Sequence, residues 1–441
     1  MTTTARTIHR SASKADLVRG RHPAYLASRL RAVTGRYGVT PRKAQERVRR
    51  CVARLSRQGI SPTFATPGHV VEAAPGFFRE LRDAGAELAI HGYDHADFRR
   101  LSREEAAEQF ARAVDAYSRH GIPFEGFRCP YLSYTPEVRA VLPPGAFSYS
   151  SNRAIVWGAA NVKGHGPVYA HLARNYRAVS SEEALGSPAL EGDLVEIPAS
   201  VPDDLQLCDA LGLGTDGLLR VWVETLQDTH RGGELFAPLF HPEAFDLLGE
   251  AVDGLLDAAR ALRPAVWPTQ LRDVARWWRE RATFAVRSRP EGGVLTIEFD
   301  CSTRATVLAR GVGQSPGPVW DGAWSTLEDR RLCIGDDETR PFVGARGVDG
   351  PTVAFLREQG YVVDTSERAG DCGVVLDRAS VARLRTRRAL VQHVEAGAGP
   401  LVKYGRWPDG ARSALCLAGD LDALSLRDYA LRLRPAPRRR S

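Results

Sequence analysis

The chain has 441 residues, 43% of them hydrophobic and 26% charged, which is the make-up of a globular protein too long for one ordinary core. Its formal net charge of +7 is carried largely by arginine spread along the chain, and with no helix-turn-helix, zinc-finger or aromatic-interleaved groove signature beside it, that charge predicts no nucleic-acid partner. No run of about 18 apolar residues is present, which excludes a membrane-spanning helix, while seven scattered cysteines without a Cys-x-x-Cys pair predict reduced thiols and a cytoplasmic setting.

Residues 1–22, rich in Thr, Ser and Arg and without the apolar stretch of a secretory signal, read as a flexible leader. Between Pro41 and Gly59, Ala44, Val48, Val52 and Leu55 recur at helical spacing and the glycine suits a C-cap. Thr63 to Thr66 reads as a strand, Phe77 to Ala84 as a helix, and Glu87 to Ile90 as a strand that runs into His91. Ser102 to His120 reads as a helix opened by the capping box Ser102-Arg103-Glu104-Glu105, and Phe124 to Arg128 as the strand before Cys129-Pro130-Tyr131. Strands at Leu194 to Pro198 and Leu235 to His241 follow, then helices at Phe245 to Arg260 and Leu271 to Arg281. This alternation predicts a parallel α/β architecture with its site at the carboxyl ends of the strands.

From Phe284 to Val312 the pattern turns to period-two alternation around Gly292-Gly293, as in a small β segment. From Pro341 the helix-strand rhythm returns: strands at Phe342 to Gly344, Tyr361 to Val363, Val374 to Leu376 and Leu401 to Tyr404, with helices at Gly350 to Gln359 and Val381 to Glu395.

Three strand ends carry chemistry. His91-Gly92-Tyr93-Asp94-His95 places two imidazoles four apart, a spacing that puts both on one side of a helical turn, where they can share a borderline-soft cation such as zinc. Arg128-Cys129-Pro130-Tyr131 and Phe240-His241-Pro242 follow later strands. Each has a plainer reading: Arg128 as a surface cation, His241 as a histidine satisfied by backbone, Cys129 as a packed small residue. Trp277 and Trp278 fit the core of an amphipathic helix better than a sugar platform, and His69 reads as a loop residue.

In this order, the three motifs resemble the NodB-type polysaccharide deacetylase family, in its peptidoglycan-deacetylase-like branch. Ile197-Pro198-Ala199-Ser200-Val201-Pro202-Asp203-Asp204 and Val266-Trp267 add to the likeness. The resemblance implies a distorted parallel (β/α) barrel and metal-dependent hydrolysis of a non-peptide C–N amide bond, above all N-deacetylation of an N-acetylated saccharide. The cofactor it implies is a divalent metal, zinc by default, and the partner a carbohydrate or glycolipid substrate. His91 and His95 would be metal ligands, Arg128 would brace the base, Pro130 and Tyr131 would line the groove and offer an oxyanion contact, and His241 would be the acid.

The family's first motif, an acidic pair on the opening strand, has no counterpart before Pro41, where Asp16 is the only acid. Ala414 to Leu424, however, reads as a buried strand ending in Asp420-Leu421-Asp422. The expectation is therefore a circular permutation, with Asp422 as third ligand, Asp420 as base, and the following helix split between Leu424 to Leu433 and Pro23 to Arg36. Strand alternation puts the two carboxylates on one face; the bland alternative is that they cap a helix.

The predicted organisation is a leader at 1–22, a barrel lacking its first strand at 23–282, a small β domain at 283–335, an α/β segment at 336–405 and the displaced strand and motif at 406–435. One departure stands out: where relatives carry an aspartate, this chain has Ser150, so Asp203 or Asp204 must orient the acid. Two other readings stay open, a metal amidohydrolase of a small nitrogenous substrate and an inactive carbohydrate-binding relative.

Overall fold

The structure, a computed structural model, describes residues 33–160, 174–313 and 317–432. The leader at 1–22 and most of the helix expected from Pro23 lie outside the described residues, although 33–36 are helical. Helix α1 (Arg42–Ser56) buries Ala44, Val48, Cys51, Val52 and Leu55 on one face, as their spacing requires. It leads into β1 (Thr63–Thr66), which is followed by β2 (Glu87–Ile90), the long helix α2 (Arg103–Arg119), β3 (Gly126–Phe127), β4 (Tyr149–Ser150), β5 (Leu194–Glu196) and β6 (Leu239–Phe240). Much later in the chain comes β7 (Ala418–Asp420).

In space the strand order is β6-β7-β1-β2-β3-β4-β5, a curled parallel sheet closed at its far edge by an antiparallel strand, Ala189–Glu191. The C-terminal strand sits inside this sheet. Ala418 pairs with both Thr63 and Leu239, and Asp420 lies level with Ala65. Its forerunner Ser413–Cys416 continues the same course between Leu235–Phe236 and Val266–Thr269, the two stretches meeting at Leu417, whose carbonyl accepts from Thr63 N at 3.0 Å. Because β1 to β7 pair in parallel, they all end on one side.

Both sheet faces are covered, as parallel sheets require. On the outer face Phe64, Phe127, Phe240, Leu415, Leu417 and Leu421 pack among α1, α2, α3 (Thr215–Gly232) and α4 (Phe245–Ala261). The phenol of Tyr117, on α2, donates to the carbonyls of Thr66 and Ala89 at 2.9 and 2.8 Å, which ties that helix to the strand ends that carry the site. Helix α5 (Leu271–Arg281) buries Trp277 and Trp278 in a second cluster with Trp407, so the tryptophans are core residues.

Antiparallel strands at Ala285–Glu291 and Val294–Asp300 turn at Gly292-Gly293, both at positive φ. The α/β unit places Arg340–Arg346 between Val363–Asp364 and Cys372–Asp377 in a parallel sheet, with α6 (Gly350–Glu358) following the first of these strands. Two sequence expectations change here. The helix expected at Val381 to Glu395 is two, Arg378–Arg383 and Arg387–Ala396, because Asp377 and Thr386 each cap a separate N-terminus. Leu401–Tyr404 pairs antiparallel with Val307–Arg310, so the β segment and the α/β segment share a sheet.

The last helix, α7 (Leu426–Leu431), begins at Ser425, which forms a capping box with Asp428. Leu426 N donates to Gly38 O at 2.9 Å and the Tyr37 and Tyr429 rings lie 5.5 Å apart. Residues near both ends of the described chain thus meet beside β7.

Leu421 is fully buried on the face opposite the two aspartates. Leu421→Ala is expected to lower unfolding free energy by about 2–5 kcal/mol in urea titrations, the usual cost of emptying a close-packed leucine site.

Candidate active site

His91 is the first residue beyond β2, and its amide extends the ladder by donating to Thr66 O at 3.1 Å. Its Nδ1 lies 2.8 Å from the carbonyl oxygen of Arg128, itself the first residue beyond β3. A carbonyl only accepts, so Nδ1 carries the proton and Nε2 presents a lone pair to the interior. No helical turn brings the second histidine round, contrary to the expectation from the spacing. Gly92 at φ 67° and His95 at φ 57° fold the segment back as a loop, and a side chain on Gly92 would press the Phe98 ring at 3.1 Å. Gln109 on α2 pins this loop by accepting from Tyr93 N and Asp94 N at 3.0 and 2.9 Å. The two imidazoles end up edge to face, with centroids 4.9 Å apart.

Asp420 is the last residue of β7, and alternation turns Asp422 to the same side. Asp422 Oδ1 lies 3.5 Å from His91 Nε2 and 3.1 Å from His95 Nε2. These three ligand atoms fall within 4.8 Å of one another, and all three residues are buried. His91 Nε2 and Asp422 Oδ1 have no hydrogen-bond partner. Burial, followed by the Arg432 cation, pushes His95 down to about 4, so its imidazole is neutral near pH 7. Burial opposes charge on Asp422, but Arg432 and the two histidines outweigh it and hold the carboxyl well below its usual range. Two imidazole nitrogens and a carboxylate oxygen that converge in this way are a donor set that could hold a metal ion.

Arg128 is 1% exposed and so is not a surface cation. Its Nη1 donates to Asp420 Oδ1 at 2.7 Å, while Nε and Nη2 are held by the carbonyl and hydroxyl of Ser151 at 3.1 and 3.0 Å. Asp420 Oδ2 remains 3.7 Å from His91 Nε2. One carboxylate oxygen is thus fixed and the other faces the cluster.

His241 follows β6. Its Nδ1 lies 2.7 Å from Asp204 Oδ1 and its amide donates to Asp204 Oδ2 at 3.2 Å, so one carboxylate clamps both ring and backbone. Its Nε2 stands 3.7 Å from Asp422 Oδ2. Burial disfavours the imidazolium, yet the Asp204 charge prevails and raises His241 to about 10. Asp203, at the next position, is raised to about 7, mainly by burial; it accepts from Gln206 N at 2.7 Å and from the Tyr176 hydroxyl at 3.3 Å. Ser150 is engaged elsewhere: it donates to Glu196, which also accepts from Asn152 N and Arg153 N at 2.7 and 2.6 Å. The histidine is oriented from Asp204, at the start of a different segment.

Pro130 is buried at the start of a single 3-10 turn, and Tyr131, at φ 58° and ψ 20°, stands 42% exposed with its ring 5.0 Å from His95. A non-glycine residue held left-handed marks a position that its surroundings over-determine, and such positions gather at functional sites. His69 lies within the short helix Gly68–Ala73, Nδ1 2.6 Å from Tyr93 O, and not in a loop. Cys129 is a packed thiol whose pKa burial raises.

Sequence reasoning missed two groups. Arg432, just past α7, donates to Asp422 Oδ2 at 2.8 Å and lies 3.2 Å from His95 Nε2, a contact that metal on that nitrogen would replace. Its spacing from Asp428 and Tyr429 was readable, but nothing distinguished it from Arg427. Under His241, the buried Glu243 accepts from Arg36 Nη2 and the Tyr37 hydroxyl, both at 2.6 Å. No local pattern joins residues that far apart.

Residues 37–143 match a family model described as polysaccharide deacetylase. The peptidoglycan deacetylase-like protein FGM2 of Gibberella zeae is 31% identical over 101 residues, 22% of this chain and 30% of that protein, so the chain spans less than a third of this relative's length. Among solved structures, one from Mycobacterium smegmatis assigned as a polysaccharide deacetylase is 20% identical and covers 63% of this chain and 91% of its own, with a TM-score of 0.43. PuuE allantoinase is 17% identical and covers 54% of this chain and 72% of its own, with a TM-score of 0.42. The matched segment carries β1, β2, β3, His91, His95 and Arg128, but not Asp204, His241, Asp420 or Asp422. Residues 37–143 are therefore similar to part of a polysaccharide deacetylase domain.

Proposed function

We propose that the chain is a metal-dependent hydrolase that removes an acyl group from an amide nitrogen, with an N-acetylated carbohydrate or glycolipid as substrate. The observation that carries this reading is the meeting, at the carboxyl ends of the strands, of three convergent ligands with a braced carboxylate and a clamped histidine. His91, His95 and Asp422 would hold the ion, zinc by preference. When bound, a divalent cation at such a site acidifies water and polarises the scissile carbonyl.

The chain's own groups supply the rest. Asp420, held by Arg128 through Oδ1, takes the proton from the attacking water through its free Oδ2. His241, kept protonated by Asp204, delivers a proton from Nε2 to the departing amine. The Tyr131 N–H, on the loop braced by Pro130, is assigned to the oxyanion. An inactive relative that had lost the first motif would have no reason to keep Asp420 on Arg128 and Asp422 on the histidines. We also read the chain as a circular permutation, because β7 stands where an opening strand would and Leu426 bonds to Gly38. One observation favours a small nitrogenous substrate over a polymer: His91, His95, His241, Asp420 and Asp422 are each at most 6% exposed.

Purified protein is expected to bind one zinc per chain by plasma emission spectrometry, and Asp422→Ala to lose it. Asp420→Asn should keep the metal but release acetate from N-acetylglucosamine oligomers at least about 100-fold more slowly. Undiminished turnover by that variant would remove Asp420 from the mechanism, while turnover only of small cyclic or open amides would select the second reading.

The His241–Asp204 pair has a pH signature. Because the folded pKa of about 10 exceeds the unfolded value of about 6.5, its stabilisation is complete below the latter and disappears as pH rises through the former. Asp204→Asn should flatten this dependence and cost at least about 2 kcal/mol at neutral pH, read from urea melts across the alkaline range. A rearranged chain with residues 406–432 joined through a short linker ahead of residue 33 is expected to fold and bind zinc with the same stoichiometry; an insoluble or metal-free product would count against the permutation.

A further inference from the structure

Arg281, the last residue of α5, is a buried cation that the proposed chemistry does not use. It is 8% exposed, and its guanidinium lies 4.5 Å over the Trp278 ring, with Nη1 donating to Glu358 O at 3.1 Å. Its Nε has no hydrogen-bond partner, and no carboxylate stands within ion-pair distance of it among the described residues. Of the 53 acidic residues in the chain, only Asp16 lies outside the described ones. The nearest candidate, Glu358, is otherwise engaged: its Oε1 accepts from Leu190 N and Trp278 Nε1 at 2.7 and 3.0 Å. Burial, and then the like charge of Arg406, lowers Arg281 to about 9, which leaves it protonated at neutral pH. A buried cation without a counter-charge is among the costlier features a fold can carry.

Arg281 stands in the wall of a cleft of about 740 Å³ between α5 and the α/β unit. Trp278, Phe284, Phe355 and Tyr404 supply aromatic walls, and Arg357 and Arg387 add exposed cations, the latter 4.9 Å over the Phe355 ring. Glu358 is the one acid in the lining. Gly360 lines the cleft too, at φ 100°, and a side chain there would come within 3.1 Å of Arg281 Nη2. None of these residues belongs to the cluster around His91 and Asp422.

We propose that this cleft binds a small organic oxyanion, a carboxylate or phosphate monoester on an apolar or aromatic body, which gives Arg281 its missing counter-charge. The guanidinium donors take the oxyanion, the aromatic walls take the body, and the two outer arginines draw the anion in. Bound there, the ligand would bridge the barrel and the α/β unit.

The test is isothermal titration of the full chain with phenyl phosphate, benzoate and neutral benzyl alcohol. One anion should bind once per chain and at least about tenfold more tightly than the alcohol, and whichever anion is preferred identifies the head group. Arg281→Gln should lose about tenfold or more of that affinity and Arg281→Lys only part of it, while Asp422→Ala leaves it unchanged. If Arg281→Gln does not fold, Arg387→Glu at the exposed mouth should still weaken the preferred anion by about threefold or more. The proposal is overturned if neither anion binds better than the alcohol, if Arg281→Gln and Arg387→Glu bind as the parent does, or if Asp422→Ala abolishes binding.

Discussion

Parallel hydrogen bonding of Ala418–Asp420 between Leu239–Phe240 and Thr63–Thr66 is the constraint on which the rest of the molecule turns. Without it β1 and β6 would face each other as two open edges, and the histidines beyond β2 and β6 would have no carboxylate between them. The register matters as much as the pairing. With Asp420 level with Ala65, both aspartates point toward His91 and Leu421 points into the helix-covered face. A slip of one residue would exchange these roles, burying carboxylates among phenylalanines. The apolar core and the polar site therefore select the same register.

The electrostatics follow from that placement. Three carboxylates taken into the interior arrive opposite a dedicated charged partner: Asp420 on Arg128, Asp204 on His241, Glu243 on Arg36. Such pairs repay their desolvation only when geometry and hydrogen bonding are good, and here Ser151, the His241 amide and the Tyr37 hydroxyl supply the additional bonds. Asp422 differs, because Arg432 holds one oxygen while the other is left without a hydrogen bond. The same accounting makes Arg281 stand out, since it is the reverse case of a buried cation lacking an acid.

Long helices were the most legible part of the sequence. The capping box at Ser102 and the apolar stripe through Ala106, Phe110, Ala113 and Tyr117 read directly as α2. The strands of two residues, such as β3 and β4, are too short to show a period, and their place comes from parallel neighbours on either side. The break at Leu384 was hidden because apolar spacing runs across it, and the structure shows it through the separate caps Asp377 and Thr386. In the site, motifs at strand ends brought out His91, His95, Arg128 and His241, and an acidic pair on a buried strand brought out Asp420 and Asp422. Sequence could not choose between Asp203 and Asp204, since adjacent residues share one context and only the approach of β6 separates them. Arg432, Arg36 and Glu243 were invisible for the same reason: their partners are set by tertiary contact alone.

The position of β7 late in the chain also bears on how the protein is made. During synthesis the strands at Thr63–Thr66 and Leu239–Phe240 leave the ribosome about 350 and 180 residues before their shared neighbour, so their inner edges stay unpaired until it emerges. Parallel pairings of such long sequence separation form slowly and expose apolar edges meanwhile. The nascent chain therefore holds His91 and His95 for more than 300 residues of synthesis without the carboxylates that face them in the finished fold. Whatever chemistry the cluster performs waits on the arrival of one short strand.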